Sequence, residues 1–343
     1  MNKNTRAQFN AYIAGVAADN NIAVDMLSAG QQFTVEPTVQ QKLENAVLES
    51  SDFLKQINIV PVDELKGEAL QLGVSGTIAS RTDTDTKERE TADISKLTGN
   101  TYECAQTNYD SHLKYKTLDA WAKFPDFAAR IGKLKAERIA LDRIMIGFNG
   151  ESAEKTTDRS AHPLLQDVNK GWLKLIEERA PQRVMKEEQS GSGKIEIGAD
   201  KTYKTLDALV YSLKEDMIPD QFRNDSQLVA IMGSDLLADK YFPLYNQAKP
   251  TEQAAGSIVA SSKRVGGLQA VSAPFVPKGT VLITSLDNLS IYVQEGAMRR
   301  TITDAPRRDR VEDYLSSNEA YVVENYEAVA LARNIKIVDA PAA

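Results

Sequence analysis

Apolar positions change their spacing several times along this chain, and each change marks an element. In the first thirty residues Phe9, Tyr12, Ile13 and Val16 recur at the spacing of one helix face. Asn20-Asn21 and Ser28-Ala29-Gly30 punctuate that stretch, so residues 1–33 read as a separate, mostly helical leader. After Pro37 the same spacing returns at Val39, Leu43, Val47 and Leu48 and stops near Ser50. Short helices of this kind are marginal alone and need a surface to lie on.

The period then shortens to two. Residues 57–62 read as strand, and 69–74 alternate apolar with polar. From Ser75 to Lys96 the chain runs SGTIASRTDTDTKERETADISK, with almost nothing to bury. Extended patterns resume at 101–104 and 113–115. The simplest arrangement is a long two-stranded ribbon over 57–115 with its polar tip in 80–96. An isolated hairpin is marginal in water, and so long a connection in a compact domain is either functional or disordered.

Pro125 suits the first turn of the next helix. Phe127, Ile131, Leu134, Leu141, Met145 and Phe148 form its expected apolar face, and Gly147-Phe148-Asn149-Gly150 ends it. At about 1.5 Å per residue it is about 35 Å long, enough for a domain's spine. Helices are expected at 164–178, with Trp172 on the apolar side, and at 203–217. A solvated loop, EEQSGSGK, lies between them at 187–194. The run 228–232 reads as a buried strand, and Gly233-Ser234 caps a helix that carries Leu236, Leu237, Tyr241 and Phe242 up to Pro243. A Gly- and Ser-bearing segment follows. Strands at Val271, 281–283, 289–293 and 321–323 complete an α+β chain without internal repeats.

With 343 residues, 42% of them hydrophobic, the chain has ample material for one large or two smaller domains. Its 41 Lys and Arg against 48 Asp and Glu give a net charge of -7. That balance argues against a protein whose main task is gripping phosphates. The densest basic spots, Arg299-Arg300 and Arg307-Arg308-Asp309-Arg310, read as solvated or subunit-facing surface. Cys104 is the sole cysteine, which excludes an intrachain disulfide and a cysteine-rich zinc site. No apolar run approaches the ~20 residues that cross a bilayer, and the first thirty residues lack a signal-peptide layout. No membrane partner is expected, and the chain suits a reducing cytoplasm.

Candidate chemistry is thin. His112 and His162 have no partner motif, and neither common nucleophile arrangement is signalled around Cys104 or any serine. Gly191-Ser192-Gly193-Lys194 lacks the upstream glycine of a phosphate loop, and Ile195 replaces its Ser or Thr. Asp83-Thr84-Asp85 lacks the third acid, the glycine and the closing glutamate of a calcium loop. No catalytic residue, cofactor or metal is expected.

Particular strings carry a resemblance. Phe33-Thr34-Val35-Glu36-Pro37, Glu49-Ser50-Ser51-Asp52-Phe53-Leu54 and Ile57-Asn58-Ile59-Val60-Pro61-Val62 come first. Tyr115-Lys116-Thr117-Leu118-Asp119, Gly147-Phe148-Asn149-Gly150, Gly171-Trp172-Leu173 and Leu236-Leu237-Ala238-Asp239-Lys240-Tyr241-Phe242-Pro243 follow. Leu289-Ser290-Ile291-Tyr292, Asp309-Arg310-Val311-Glu312 and Tyr321-Val322-Val323-Glu324 close the series. Their order along nearly the whole chain resembles the major capsid proteins of peduoviruses, the P-two-like tailed phages. The order of elements resembles the Hong Kong 97-like capsid fold.

The resemblance implies an icosahedral shell subunit assembled in the host bacterial cytoplasm and resident in the virion. It implies a cleavable, scaffold-like leader at 1–33, an N-arm at 34–56 and an extended hairpin E-loop at 57–115. A peripheral domain would comprise 116–150, with the spine helix, and 285–338; an axial domain would comprise 151–284. The implied processing site is Phe33–Thr34. The E-loop residues Arg81, Asp83, Asp85, Lys87, Glu88, Arg89 and Glu90 would contact a neighbouring subunit. The implied partners are further copies in hexamers and pentamers, an internal scaffold/protease protein, a portal protein and double-stranded DNA held by weak non-specific contacts. The tail after Val338 is short for the family, and the Lys, Asn and Glu of a covalent chainmail are not placed in this sequence. An encapsulin-type compartment is the alternative within the same fold. A cytosolic enzyme or ligand-binding protein is the alternative outside it.

Overall fold

The structure, a computed structural model, describes residues 1–74, 79–91, 95–124, 126–245 and 263–338. Pro125, part of the polar excursion at 75–78 and 92–94, the Gly- and Ser-bearing segment after 245, and the tail after Val338 lie outside the described residues.

Two sheets organise the chain. The first runs Phe33–Thr34, Arg299–Ala305, Arg310–Val323, Leu289–Gln294 and Asn58–Val62. Ala105–Asn108 and Ser111–Lys114 also pair with Arg310–Val323, which makes that 14-residue strand the hub. The second sheet runs Arg264–Val265, Leu268–Val271, Leu228–Met232, Val281–Ser285, Ala330–Ala332 and Val184–Met185. Its central strands are buried on both faces. Val229, Ile231 and Leu282 join the core shared with the first sheet, while Leu228, Ala230, Met232, Val281 and Ile283 join a second core under the helix Leu206–Met217. Burial on both sides requires an unbroken apolar run, which is why 228–232 shows no polar alternation.

The sheet pairings move two expected boundaries. The ribbon is shorter than 57–115: its own ladder runs from Lys66↔Glu103 to Val74↔Ser95. Asn58–Val62 lies parallel to Leu289–Gln294, and 105–114 is hydrogen-bonded to the hub strand, so both ends are stitched into the body. Tyr115 is not extended but opens a short helix, Tyr115–Trp121. Likewise, residues 330–337 do not stay with the spine-helix half. Ala330–Ala332 pairs with Val281–Ile283, and Ile335–Ile337 pairs with Ile195–Ile197, so the chain's end returns to the 151–284 segment.

The spine helix spans Phe127–Asn149. Its buried stripe passes through Ala136, Ile139, Ala140 and Ile144, and the small alanines admit the arm helix Pro37–Glu49 alongside. Phe127, Met145 and Phe148 are buried as expected, but Leu134 is 47% exposed. The glycines at its end serve close approach. A Cβ on Gly147 would lie 2.2 Å from the Trp172 ring, and the Gly171 N–H donates to the Gly150 carbonyl at 3.0 Å. Trp172 is fully buried, meets Phe148 and Tyr321 edge-on at 5.3 and 5.4 Å, and donates Nε1–H to the Ser290 carbonyl at 3.0 Å.

Trp172 also begins its helix, which runs only to Arg179; the expected start at Leu164 fails. Leu165 has φ +57°, and the Asp167 carboxylate accepts from the Asp158 N–H at 2.6 Å. Such side-chain-to-backbone bonds offer the chain an alternative to a helix. The helix expected from Tyr203 starts at Leu206, where the Thr205 hydroxyl caps the Ala208 N–H, and the helix from Ser234 continues past Pro243 to Tyr245.

Candidate assembly surfaces

Among the described residues, the hairpin joins the body at its base. Ala69, Cys104, Tyr292, Ala320 and Val322 form a small apolar cluster there, and the Tyr102 and Tyr292 rings meet edge-on at 4.9 Å. The Asn100 amide donates to the Glu324 carbonyl at 3.2 Å, and Arg179 donates to the Thr101 carbonyl at 2.8 Å. At the tip Arg81, Asp83, Asp85, Lys87, Glu88, Arg89 and Glu90 are all exposed. The bonds there are local: Asp83 accepts from the Asp85 N–H at 3.1 Å, and Lys87 sits 3.2 Å from Glu90. The structure thus brings the seven tip residues together as a mixed-charge surface.

The leader behaves differently from the separate element expected. Its helix Lys3–Asp19 buries Phe9, Ile13, Val16 and Ala17, and a second turn, Val24–Ser28, buries Leu27. All five belong to the main core. Polar contacts fix the first turns and the middle of the long helix. The Thr5 hydroxyl and the Asn2 N–H donate to Asp119 at 2.5 and 2.9 Å, Arg6 pairs with Asp304 at 2.5 Å, and Arg300 donates to the Tyr12 oxygen at 2.6 Å. Phe33 is also buried, because Phe33–Thr34 forms a ladder with Arg299–Arg300. Around the implied processing site, Gln31, Gln32 and Thr34 are exposed and Gly30 is half-buried.

Two clusters of charges beneath these arms were not read from the sequence. Arg143 on the spine helix is 1% exposed and binds Glu44 of the arm helix at 2.5 Å and Glu319 of the hub strand at 2.8 Å. Glu319, fully buried, also accepts from the Tyr109 hydroxyl at 2.8 Å and from Ser317. The second cluster lies under the leader. Asp313 accepts two bonds from Arg300, at 3.0 and 2.8 Å, and lies 2.8 Å from Lys135. Burial pulls the Lys135 ammonium down to about 8, although Asp313 opposes the shift. Burial alone would raise the Asp313 carboxyl, but Arg300 and Lys135 outweigh it and hold the group below its ordinary value. The signal for the first cluster was a charge inside an apolar run, Arg143 within IALDRIMIGF; Asp313, directly after Glu312, gave no such signal.

The remaining candidates for chemistry resolve into structure. Glu187 accepts from the Gly191 and Gly193 N–H groups at 2.9 and 3.0 Å, so the loop that resembled a phosphate cradle closes on its own carboxylate. Among the described residues no group of three or more His, Cys, Asp or Glu side chains could hold a metal ion. Burial, aided by Glu319, pushes the Cys104 thiol up to about 11, far from a reactive thiolate. Arg308 and Arg310 both pair with Glu312, at 3.4 and 2.6 Å. Among the described residues no helix is long and apolar enough to cross a membrane.

Comparison with known proteins decides among the capsid, compartment and enzyme readings. The family model for the phage major capsid protein of the P2 family matches residues 8–335. The chain belongs to the P2 family of phage major capsid proteins. It is 46% identical to the capsid protein of Escherichia phage P2 over 99% of this chain and 96% of that one. It is 39% identical to the major capsid protein of Serratia phage KSP20 over 98% and 97% of the two chains. Among solved structures it matches a chain of the satellite phage P4 procapsid that includes the size determination (Sid) protein, with TM-score 0.81, 45% identity and 99% of each chain covered. A capsid chain of an empty GTA particle shares the fold at TM-score 0.52 and 14% identity, covering 84% and 90% of the two chains. The protein is a major capsid protein with the Hong Kong 97-like fold, a structural subunit of the icosahedral head shell, and its place is the virion. The family match supports the phage capsid reading over the encapsulin-type one.

Proposed function

We propose that this capsid protein builds its shell with two arms that act at different stages. The hairpin 66–103 lies over a neighbouring copy in each hexamer and pentamer, and its tip charges set the register of that contact. The observation that carries this reading is the exposed, two-signed surface of Arg81, Asp83, Asp85, Lys87, Glu88, Arg89 and Glu90 beyond a ribbon anchored at its base. Ring symmetry repeats one such contact around every capsomer. Exposed ion pairs contribute only about 0–1 kcal/mol each, so many of them fix a register while single contacts stay reversible. The half built on the first sheet serves as the peripheral domain. The half built on the second sheet, with the returning residues 330–337, serves as the axial domain.

The leader is the stage-specific arm. It engages an internal scaffold/protease protein and is removed by a cut within 30–34, near Phe33–Thr34. Exposed Gln31 and Gln32 offer a protease the accessible backbone there. A portal protein and packaged double-stranded DNA complete the partners, and the net charge of -7 fits weak, non-specific contact with that DNA.

Reversing charge at Arg81, Lys87 and Arg89 together tests the hairpin assignment. The subunit's circular dichroism and melting should stay unchanged while electron microscopy shows few closed shells. The defect should depend on salt, because screening shortens to about 3 Å at 1 M. Normal shells from the triple variant at low salt would refute it. The N-terminal sequence of protein from mature particles tests processing; an intact Met1 or Asn2 there would refute it.

A further inference from the structure

We propose that the seat of the leader is a peptide-binding site that holds residues 1–31 without covalent connection once the chain is cut. The biological setting rests on the processing reading above, but the binding itself does not. Three observations carry it. Phe9, Ile13, Val16, Ala17 and Leu27 are each less than 10% exposed and are shared with the body's core, so these five side chains are buried on this surface, while Val24 and Met26 are exposed. The surface is chemically matched to the leader's first twelve residues. Asp119 receives the helix's first turn, Asp304 receives Arg6, and Arg300, itself clamped by Asp313, receives the Tyr12 hydroxyl. Finally, the stretch between seat and body is exposed at Gln31 and Gln32, so cutting it breaks none of these contacts.

The seat also forms part of a larger feature. A groove of about 970 Å³ runs between Phe9 and Tyr12 of the leader and Ile131, Leu134 and Leu141 of the spine helix. A leader that stays after cleavage keeps this groove walled, and one that leaves opens it. The cut therefore converts a tethered helix into a releasable ligand of the same subunit. A later change of shell shape, acting on the strand Arg299–Ala305 and the helix Tyr115–Trp121 that carry the seat, then decides when the ligand departs.

The experiment places a recognition sequence for a site-specific protease between Gln31 and Gln32 in the full chain, cuts it, and follows the short fragment by size-exclusion chromatography and native mass spectrometry. The fragment should co-elute with the body at micromolar concentration. Phe9→Ala should accelerate its release at least about tenfold, as expected when a buried aromatic ring is lost, whereas Val24→Ser, at a position 44% exposed, should leave release unchanged. Separation of the fragment on the first column, with the body's circular dichroism intact, would overturn the proposal. Hydrogen exchange on the uncut chain gives an independent reading: amides of Lys3–Asp19 should be protected far beyond free-peptide rates, and exchange at free-peptide rates would overturn it equally. Neither result bears on whether the native cut occurs, which the N-terminus of mature particles reports separately.

Discussion

The leader and the hairpin are both extensions from the body, yet they solve their stability problem in opposite ways. The leader buries five apolar side chains and lays its polar groups on Asp119, Asp304 and Arg300 of its own subunit. The hairpin spends its few apolar contacts at Ala69 and Tyr102–Cys104 and ends in seven exposed charged residues. One arm packs on its own subunit; the other presents exposed charges that the proposed contact with a neighbour would use. The difference lies in composition. Phe9, Ile13 and Val16 recur at helical spacing and define a face to bury, whereas 79–91 offers no face at all. On the proposed reading, the arm that acts before closure is stored on the subunit, and the arm that contacts a neighbour is kept in water.

The sharpest way to break this comparison is to attack what makes the body self-sufficient. Arg143→Ala should destabilise the subunit by about 3–5 kcal/mol, because it leaves the fully buried Glu319 carboxylate without its cation. It also frees Glu44, so the arm helix should lose protection in hydrogen exchange along with the global loss seen in denaturant unfolding. A midpoint equal to that of the parent would show that Tyr109 and Ser317 suffice to hold Glu319.

Phe9→Ala tests the leader in the intact chain. Deleting a buried Phe side chain costs about 3–5 kcal/mol in a rigid core. Here the loss is capped by the free energy of docking, because the leader can undock while the body stays folded. The melting temperature should therefore fall by less than it does for Arg143→Ala, with exchange rising first in Lys3–Asp19. Equal loss of protection in the hub strand would show that leader and body unfold as one unit.

Acid offers a smaller perturbation at the same seat. A carboxyl held below its ordinary value contributes stability that is complete above its unfolded pKa of about 4 and disappears as the pH falls through its folded value. Asp313 is such a group, facing Arg300, Lys135 and, through Arg300, Tyr12; Asp110 also acts on Lys135. Asp313→Asn should flatten the part of the acid-unfolding curve below about pH 4, relative to the parent. Superimposable curves would mean that Asp313 titrates alike in folded and unfolded chains.

Much of this was legible in the residues, and the exceptions share a cause. Helical spacing located the leader, the arm helix and the spine helix, and period two located the ribbon, because each has one face to bury. Where a segment is held by contacts distant in sequence, local pattern failed. The loop before Trp172 looked helical, but Asp167 and the close approach of Gly150 and Gly171 claim its backbone. The resemblance placed the end of the chain with the spine-helix half, but 330–337 also pairs with strands more than a hundred residues earlier. The docking of the leader was missed because spacing reveals a face without revealing its partner. The exposed tip was legible for the converse reason: a run with nothing to bury needs no partner to be recognised.

The smallest expected effect sits on the spine helix, where both kinds of surface occur on one element. Ile144 is fully buried and Leu134 is 47% exposed, although both are branched apolar residues on the same helix. Ile144→Ala should cost the subunit about 2–5 kcal/mol. Leu134→Ala should cost no more than about 0.5 kcal/mol, as at other surface positions, since alanine also favours the helix. Leu134 lines the groove between leader and spine helix, so an exposed leucine there is set against a wall that the leader supplies. If the leader stays seated, Leu134→Ala should leave both melting and fragment retention unchanged, because Phe9 and Ile13 find their burial elsewhere in the core. A loss of 2 kcal/mol or more from Leu134→Ala, measured by denaturant unfolding of the unassembled subunit, would place that side chain inside the body's own packing and erase the distinction between the two faces of the helix.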